Sequence, residues 1–491
     1  MAATPDPIGG LSHPRAPERE GLAYFSQFGI DERLIRDTLA AALSRGGDYA
    51  DLYFQHRVMN SLGLEDGEVN RAYAGIELGV GVRVVQGDQT GYGYTEDLSP
   101  DAMRRAAMTA AAVADGPART APQGFSVDAH QPSRYPLVRS WDSVHPGDKL
   151  PLLQALNTRA HAMDPRIQKV SVHFADEAGA VLIADSLGRM AFDRQPMTLL
   201  YLSCMAEQNG KRESNGYNLA GRQGFDWYTE DKLDRMVREA VGRTTVLFDA
   251  VTPPAGQMQI VLAAGSSGIL LHEAIGHGLE ADFNRKNVSI YADKIGKAIA
   301  KPFVSVVDDA TNAHARGAIN VDDEGNPAGC TMLIHDGVLE TYLHDSMSAK
   351  HYGVQPTGNG RRESFRHVPM PRMRSTYMLN GPHKHDEIVA SVKNGIYCSN
   401  FSNGQVQIGA GDFTFYVKNG WLIEDGKLTR PVKDVNLIGN GPKVLEAVDM
   451  VGDDLLIDEG GWTCGKDGQS VPVSQGMPTV RVASMTVGGR S

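Results

Sequence analysis

The stretch 265–284, GSSGILLHEAIGHGLEADFN, constrains this chain more than any other. It holds His272, Glu273 and His277, an H-E-x-x-x-H. Two imidazoles with a carboxylate beside the first are the parts of a hydrolytic zinc site. The imidazoles hold the metal, and the carboxylate takes a proton from the water on it. The spacing sets a condition on the backbone. The usual motif has its histidines four apart, about 40° from each other around a helix. Histidines five apart lie about 140° round, too far to meet one ion on a regular helix. One extra residue in the turn, a π-bulge, brings His277 back beside His272, and such bulges favour functional sites. Gly276 and Gly278 flank His277 and lower the cost of a distorted turn. The pattern predicts a helix from about Ser267 that is wound irregularly around Gly276. The plainer alternative is two unrelated histidines on a buried helix.

At 491 residues the chain is long enough for two or three domains with large cores. Its apolar share of 41% and charged share of 22% describe an ordinary soluble globular protein. A net charge of -11 argues against nucleic acid as a partner, which calls for a basic face. Cys204, Cys330, Cys398 and Cys464 lie far apart and form no C-x-x-C. That suits a reducing, cytoplasmic compartment and leaves a lone cysteine free to act as a metal thiolate. Residues 1–22 contain no apolar segment, so a disordered lead-in is expected there rather than a signal peptide. No stretch approaches the apolar length of a membrane span, and no membrane partner is expected.

The order of elements predicts an α+β fold. Over 23–250 we expect an N-terminal domain of antiparallel sheet with helices. Helices are predicted at 31–44, from Ser99 to 116, at 148–162 and at 230–243. Strands are predicted at 49–59, 75–85, 89–95, 169–175, 180–184, 190–193, 197–207 and 211–218, with turns at Asp66-Gly67 and Asn209-Gly210. Thr252 to Gly256, TPPAG, reads as the boundary of a β-rich domain over 251–491 that carries the zinc helix. Strand 257–264 feeds that helix. A hairpin turns at Asp336-Gly337, and a meander over 413–432 turns at Asn419-Gly420 and Asp425-Gly426. Short helices are expected at 385–392 and 442–447, and residues 478–487 can close the sheet.

A catalytic zinc usually has three protein ligands and a water. Glu280 and Asp282 follow the motif but read as a solvated helix end. His335, His344, His351 and His367 are scattered in loops and turns. Cys464 sits in a glycine-rich loop two residues from Lys466, where a thiol can lose its proton and reach a metal, or can simply be a small packed hydrophobe.

LLHEAIGHGLEADFNRK at 270–286 resembles the active-site segment of the TldD/PmbA family of zinc peptidases, on its TldD side. The likeness continues in PTGNGRRESFRHVPMPRMRSTYM at 356–378, DGKLTRPVKDVNLIGNG at 425–441 and CGKDGQSVPVSQGMPTVRVASMTVGG at 464–489. In the first half it is carried by GVGVRVVQGDQTGYGYT at 79–95. Ser399 to Gly404, SNFSNG, matches no family loop and bears on the substrate groove. The resemblance implies a metallopeptidase with His272, His277 and Cys464 as zinc ligands and Glu273 as general base. It also implies cleavage of unfolded or flexible peptides inside a closed dimer, including a heterodimer with a PmbA-type (TldE) partner that lacks the metal motif. A thiolate ligand puts more negative charge on zinc than a third imidazole, so modest turnover is expected. An extended peptide can add as a strand to a sheet edge. Arg361 and Arg362 are either cationic donors to substrate or a structural pair bonding loop carbonyls. A non-catalytic scaffold with a structural metal is the alternative to an enzyme.

Overall fold

The computed structural model describes residues 17–127, 133–407 and 409–488. The lead-in expected over 1–22 lies outside these residues as far as 16, and Pro17–Phe25 is a helix. The chain is a mixture of helices and sheets. It forms two compact units, one from the described residues of 1–55, 79–132 and 181–193, the other from 56–78, 133–180 and 194–491. In the first, helix Pro100–Ala111 buries the alanine face Ala102, Ala106, Ala107, Ala110 and Ala111. Asp51 and Arg83 form a buried ion pair there.

The second unit holds two large cores. One is built on the antiparallel strands Ile167–Asp185, Met197–Gln208 and Lys211–Gly221, in register Val170↔Cys204↔Asn215. Their alternation buries Val170, Val172, Phe174, Leu200 and Leu202 under helices Pro146–Met163 and Glu230–Thr245. The sequence reading divides Ile167–Asp185 into two strands. The ladder instead continues through Asp176↔Thr198 and Glu177↔Met197, so the strand does not break. In the same way Tyr49–Glu65 and Glu68–Gln86 extend fully to the Asp66-Gly67 turn.

The other core lies in the β-rich C-terminal region. Strand Gly256–Leu262 pairs in parallel with Asn394–Gln407 and antiparallel with Val480–Gly488. Val480–Gly488 pairs with Val435–Asn440, which pairs with Asp412–Glu424, which returns to Asn394–Gln407. The pairing therefore closes on itself, as a small barrel does. Ser399 to Gly404 is part of its wall, paired to Asp412–Glu424 through bulges, and is a strand rather than a loop. Asn419-Gly420 is not a turn either. Asn419 is 1% exposed inside Asp412–Glu424, where its amide accepts from Asn215 Nδ2 and donates to the Arg243 carbonyl. Asp425-Gly426, with φ of 50° and 75°, makes the turn that follows. A second sheet runs Val338–Leu339, Cys330–His335, Val306–Asp309, Ser375–Met378, Ser474–Met477 and Leu456–Ile457.

One buried ion pair ties this second sheet together. Arg374 and Asp308 are both fully buried, with Nε donating to Oδ2 at 2.7 Å. Arg374 N, Thr376 Oγ1 and Asn359 Nδ2 donate to the same carboxylate at 2.8 Å each. Burial alone would raise the Asp308 pKa, but Arg374 and these donors hold it below the usual carboxylate range. A depressed folded pKa gives stability that is full above the unfolded carboxylate value and is lost as pH falls through the folded one. Asp308→Ala strands the Arg374 charge and should destabilise the protein by about 3–5 kcal/mol. Urea denaturation at neutral pH measures that loss. Repeating it below pH 4 should show the gap between wild type and variant narrowing.

Candidate metal centre

Strand Gly256–Leu262 delivers the chain to a helix that changes winding twice. Gly268–Leu271 is α-helical, His272–Gly276 is a π turn, and His277–Leu279 is 3₁₀. Ile269, Leu270, Leu271, Ala274, Ile275 and Leu279 are all buried, so apolar packing surrounds most of the segment. Each large side chain among them contributes about 1.5–3 kcal/mol of burial, which offsets an irregular turn. The π turn lies where the histidine spacing requires it. It places the His272 and His277 rings 5.1 Å apart at 85°. Gly276 has an ordinary helical φ of -56°, so conformational freedom is not what glycine supplies here. A Cβ at Gly276 would collide with Met373 Sδ, and one at Gly278 with the Tyr291 ring. Both glycines are there for space.

Cys464 arrives on the hairpin Thr463–Lys466 and Gln469–Pro472, paired with Val471. Its sulfur lies 3.5 Å from His277 Nε2. Ligand atoms of His272, His277 and Cys464 all fall within 4.8 Å of one another, and all three residues are buried. Burial alone would raise the Cys464 thiol, but the His272 and His277 rings beside it hold it well below its usual range. The sulfur therefore favours the thiolate, the form that binds metals. His272 Nδ1 is buried without a hydrogen-bond partner, which calls for an occupant beyond the chain's own atoms. Two imidazoles and a thiolate fit a borderline-soft divalent ion. Glu273 is different in kind. Its side chain stays 23% exposed against 4% for His277, and Oε2 lies 3.8 Å from His277 Nε2.

Around this trio stand residues that the sequence reading missed. Glu280 is fully buried rather than at a solvated helix end, and its Oε2 accepts from His277 Nδ1 at 3.0 Å. Such a carboxylate favours the tautomer that leaves Nε2 free to bind a metal. Burial would raise Glu280, but Lys466 and His277 hold it down to about 2. Lys466 Nζ lies 3.1 Å from Glu280 and donates to Asp282 Oδ1 at 2.7 Å and the Pro371 carbonyl at 3.0 Å. Asp282 is thus an internal ion-pair partner too. Lys466 acts on the histidine side, and the imidazoles acidify the thiol. Arg372, fully buried, donates to the Cys464 carbonyl at 2.6 Å and steadies the hairpin. The acidic pair three and five residues after His277, and the lysine two after Cys464, were the available signals. Nothing in the local sequence singled out Arg372.

Arg361 and Arg362 are buried and bond carbonyls: Arg361 those of Met373 and Pro472, Arg362 that of Asp323. They are structural rather than substrate donors. The other histidines stay outside the cluster among the described residues. His335 is exposed, and His344 is buried against Tyr342 and Tyr352 with its imidazole pushed down to about 4 by burial. His351 packs on Tyr352, and His367 Nδ1 faces Ser364 Oγ at 3.1 Å.

Models of the PmbA/TldA metallopeptidase match three successive segments: domain 1 at 50–114, the central domain at 139–248 and the C-terminal domain at 255–489. This chain belongs to the PmbA/TldA metallopeptidase family. All three clustered residues fall in the C-terminal match. Among its relatives in the family, a metalloprotease TldD homolog of Haemophilus influenzae is 43% identical over 452 residues, 91% of this chain and 94% of that protein. A metalloprotease of Methanocaldococcus jannaschii is 31% identical over 442 residues, 89% of this chain and 96% of its own. The fold is similar to that of TldE from Thermococcus kodakarensis, with a TM-score of 0.73, 17% identity and coverage of 93% and 99%. A candidate modulator of a DNA gyrase from Thermotoga maritima gives a TM-score of 0.76 at 20% identity, covering 93% and 100%. As a PmbA/TldA metallopeptidase the chain calls for a metal cofactor, and the His-His-Cys cluster is where its own donors converge.

Proposed function

We propose that this chain is a zinc-dependent peptidase that hydrolyses peptide bonds in unfolded or flexible peptides. The supporting observation is the convergence of His272, His277 and Cys464 across a π turn, with Glu273 alone keeping access to solvent. Two nitrogens and a sulfur suit zinc, and three protein ligands leave one coordination position open. When bound there, zinc would polarise the scissile carbonyl and make water more acidic. Glu273 then takes the proton of the attacking water and hands it to the leaving amine. Glu280 holds the His277 ring in place while this happens. Four free cysteines support a reducing, cytoplasmic setting. No helix among the described residues is long and apolar enough to cross a membrane. We propose that the chain works as a dimer, with a PmbA/TldE-type chain as the partner; the TldE neighbour shares its fold.

The test is metal analysis joined to a cleavage assay on a pool of unfolded peptides, with and without such a partner. One zinc per chain is expected, with cleavage lost to a chelator and restored by zinc. Bound zinc without cleavage in either setting would favour a metal-stabilised scaffold instead.

A further inference from the structure

Two adjoining cavities, of about 640 and 450 Å³, open between helix Glu230–Thr245 with strand Lys211–Gly221 on one side and the C-terminal region on the other. They share Tyr217, Arg243, Ser266, Asn400 and Asp458. Both arms of the metal centre begin on their walls. Ser266 lies just before the helix that carries His272. Trp462, which lines the smaller cavity, is two residues from Cys464, at most about 7 Å along the chain.

The lining says what chemistry fits. Leu428 and Leu456 are 43% and 57% exposed, yet both line the larger cavity, with Tyr397 and Trp421. The Tyr397 and Trp421 rings stand 6.4 Å apart. Exposed apolar side chains gathered in a concavity mark a ligand site rather than ordinary surface. The wall carries both signs in near balance, with Arg238 and Lys418 beside two ion-paired arginines. Arg235 pairs with Glu459, and Arg243 pairs with Glu239 at 2.9 Å and stacks on Tyr217. Burial pushes the Asp458 carboxyl up, although Trp462 Nε1 and Gly460 N donate to it. Such walls offer little net charge to a guest. Asn400 lines both cavities, and its Nδ2 donates only to Ser399 Oγ, at 3.1 Å, so its amide oxygen is left for a peptide N–H.

We propose that this groove is a substrate subsite that seats one large apolar side chain, aromatic or branched, of an extended peptide. The seat lies beside the segments that lead to His272 and Cys464, so it sits at one fixed offset from the scissile bond. The inference rests on the peptidase reading above and deepens it: the enzyme selects segments whose apolar side chains are exposed, as in unfolded chains. The adjacency to both ligand-bearing arms is what makes a peptide, rather than an unrelated small molecule, the occupant.

The test uses the full-length chain carrying Glu273→Gln, so that bound peptide is not consumed. A labelled Gly/Ser peptide with a single Phe is titrated into it and into the same chain with Leu428→Asp and Leu456→Asp. Both leucines are exposed, and unchanged zinc content and thermal transition establish that the double variant is folded. Binding should weaken about 10- to 100-fold in the double variant. A Phe→Ala peptide should bind the parent chain as weakly. Equal binding of the Phe peptide to both chains, or no preference for Phe over Ala, overturns the inference. In the active chain, walking the Phe along the peptide should give fastest cleavage at one fixed offset from the cut. Cleavage with no such offset also overturns it. Phe-dependent binding that the double variant loses, together with no cleavage by the active chain, upholds the groove and removes the peptidase reading.

Discussion

Glu273→Gln should leave zinc in place and lower peptide cleavage by a factor of about 10²–10⁴, the usual worth of a positioned proton acceptor. Glutamine keeps the size of the side chain and its place on the π turn, but at neutral pH it takes no proton. The ligand set is untouched, because His272, His277 and Cys464 form the cluster without it. Of these four side chains it is Glu273 whose partial exposure lets water and substrate reach it. The two measurements must therefore separate: metal content per chain unchanged, kcat collapsed. Full activity would take Glu273 out of its role. Loss of zinc along with activity would instead make it part of the metal's support.

The second large effect is expected one layer further out. Lys466→Met keeps the unbranched stem of the side chain and removes the charged amine that faces Glu280 and Asp282. Glu280 is then a fully buried carboxylate whose lysine partner is gone, and its grip on His277 Nδ1 loosens. Removing one partner of a buried ion pair costs about 3–5 kcal/mol. Loss of support behind a ligating histidine typically costs 10- to 100-fold in metal affinity. Competition with a chelator should show the affinity loss, and chemical denaturation of the metal-free chain the stability loss. If Lys466→Met holds zinc as tightly as wild type, the Glu280–Lys466 pair does not support the site.

How much of this was legible in the residues depends on the range of the forces involved. The π turn was legible because five-residue spacing and a shared ion conflict on a regular helix, a purely local condition. The turns at Asp66-Gly67, Asn209-Gly210, Asp336-Gly337 and Asp425-Gly426 were legible because both residues of each adopt positive φ, which few residue types accept. Asn419-Gly420 carries the same signal and fails, because Asn215 and the Arg243 carbonyl satisfy Asn419 from a distant strand and helix. Glu280 reads as solvated until Lys466, far along the chain, is folded against it. Arg361 has two readings in the sequence, and only the carbonyls of Met373 and Pro472 decide between them. The resemblance named Cys464, while its approach to His277 is a tertiary fact.

That approach spans 187 residues of chain. A nascent polypeptide emerging from the ribosome presents both imidazoles long before the sulfur exists. On the proposed ligand set an ion would have only a two-point hold through most of synthesis, and the third grip would be made nearly at the end. Holding the metal fully would then amount to a check on completed translation: a product terminated before Cys464 lacks the sulfur and should remain poorly loaded and inert. In the finished protein an ion so held would work as a removable cross-link over a very long loop. The entropy that such a closure withdraws from the unfolded chain grows with the logarithm of its length.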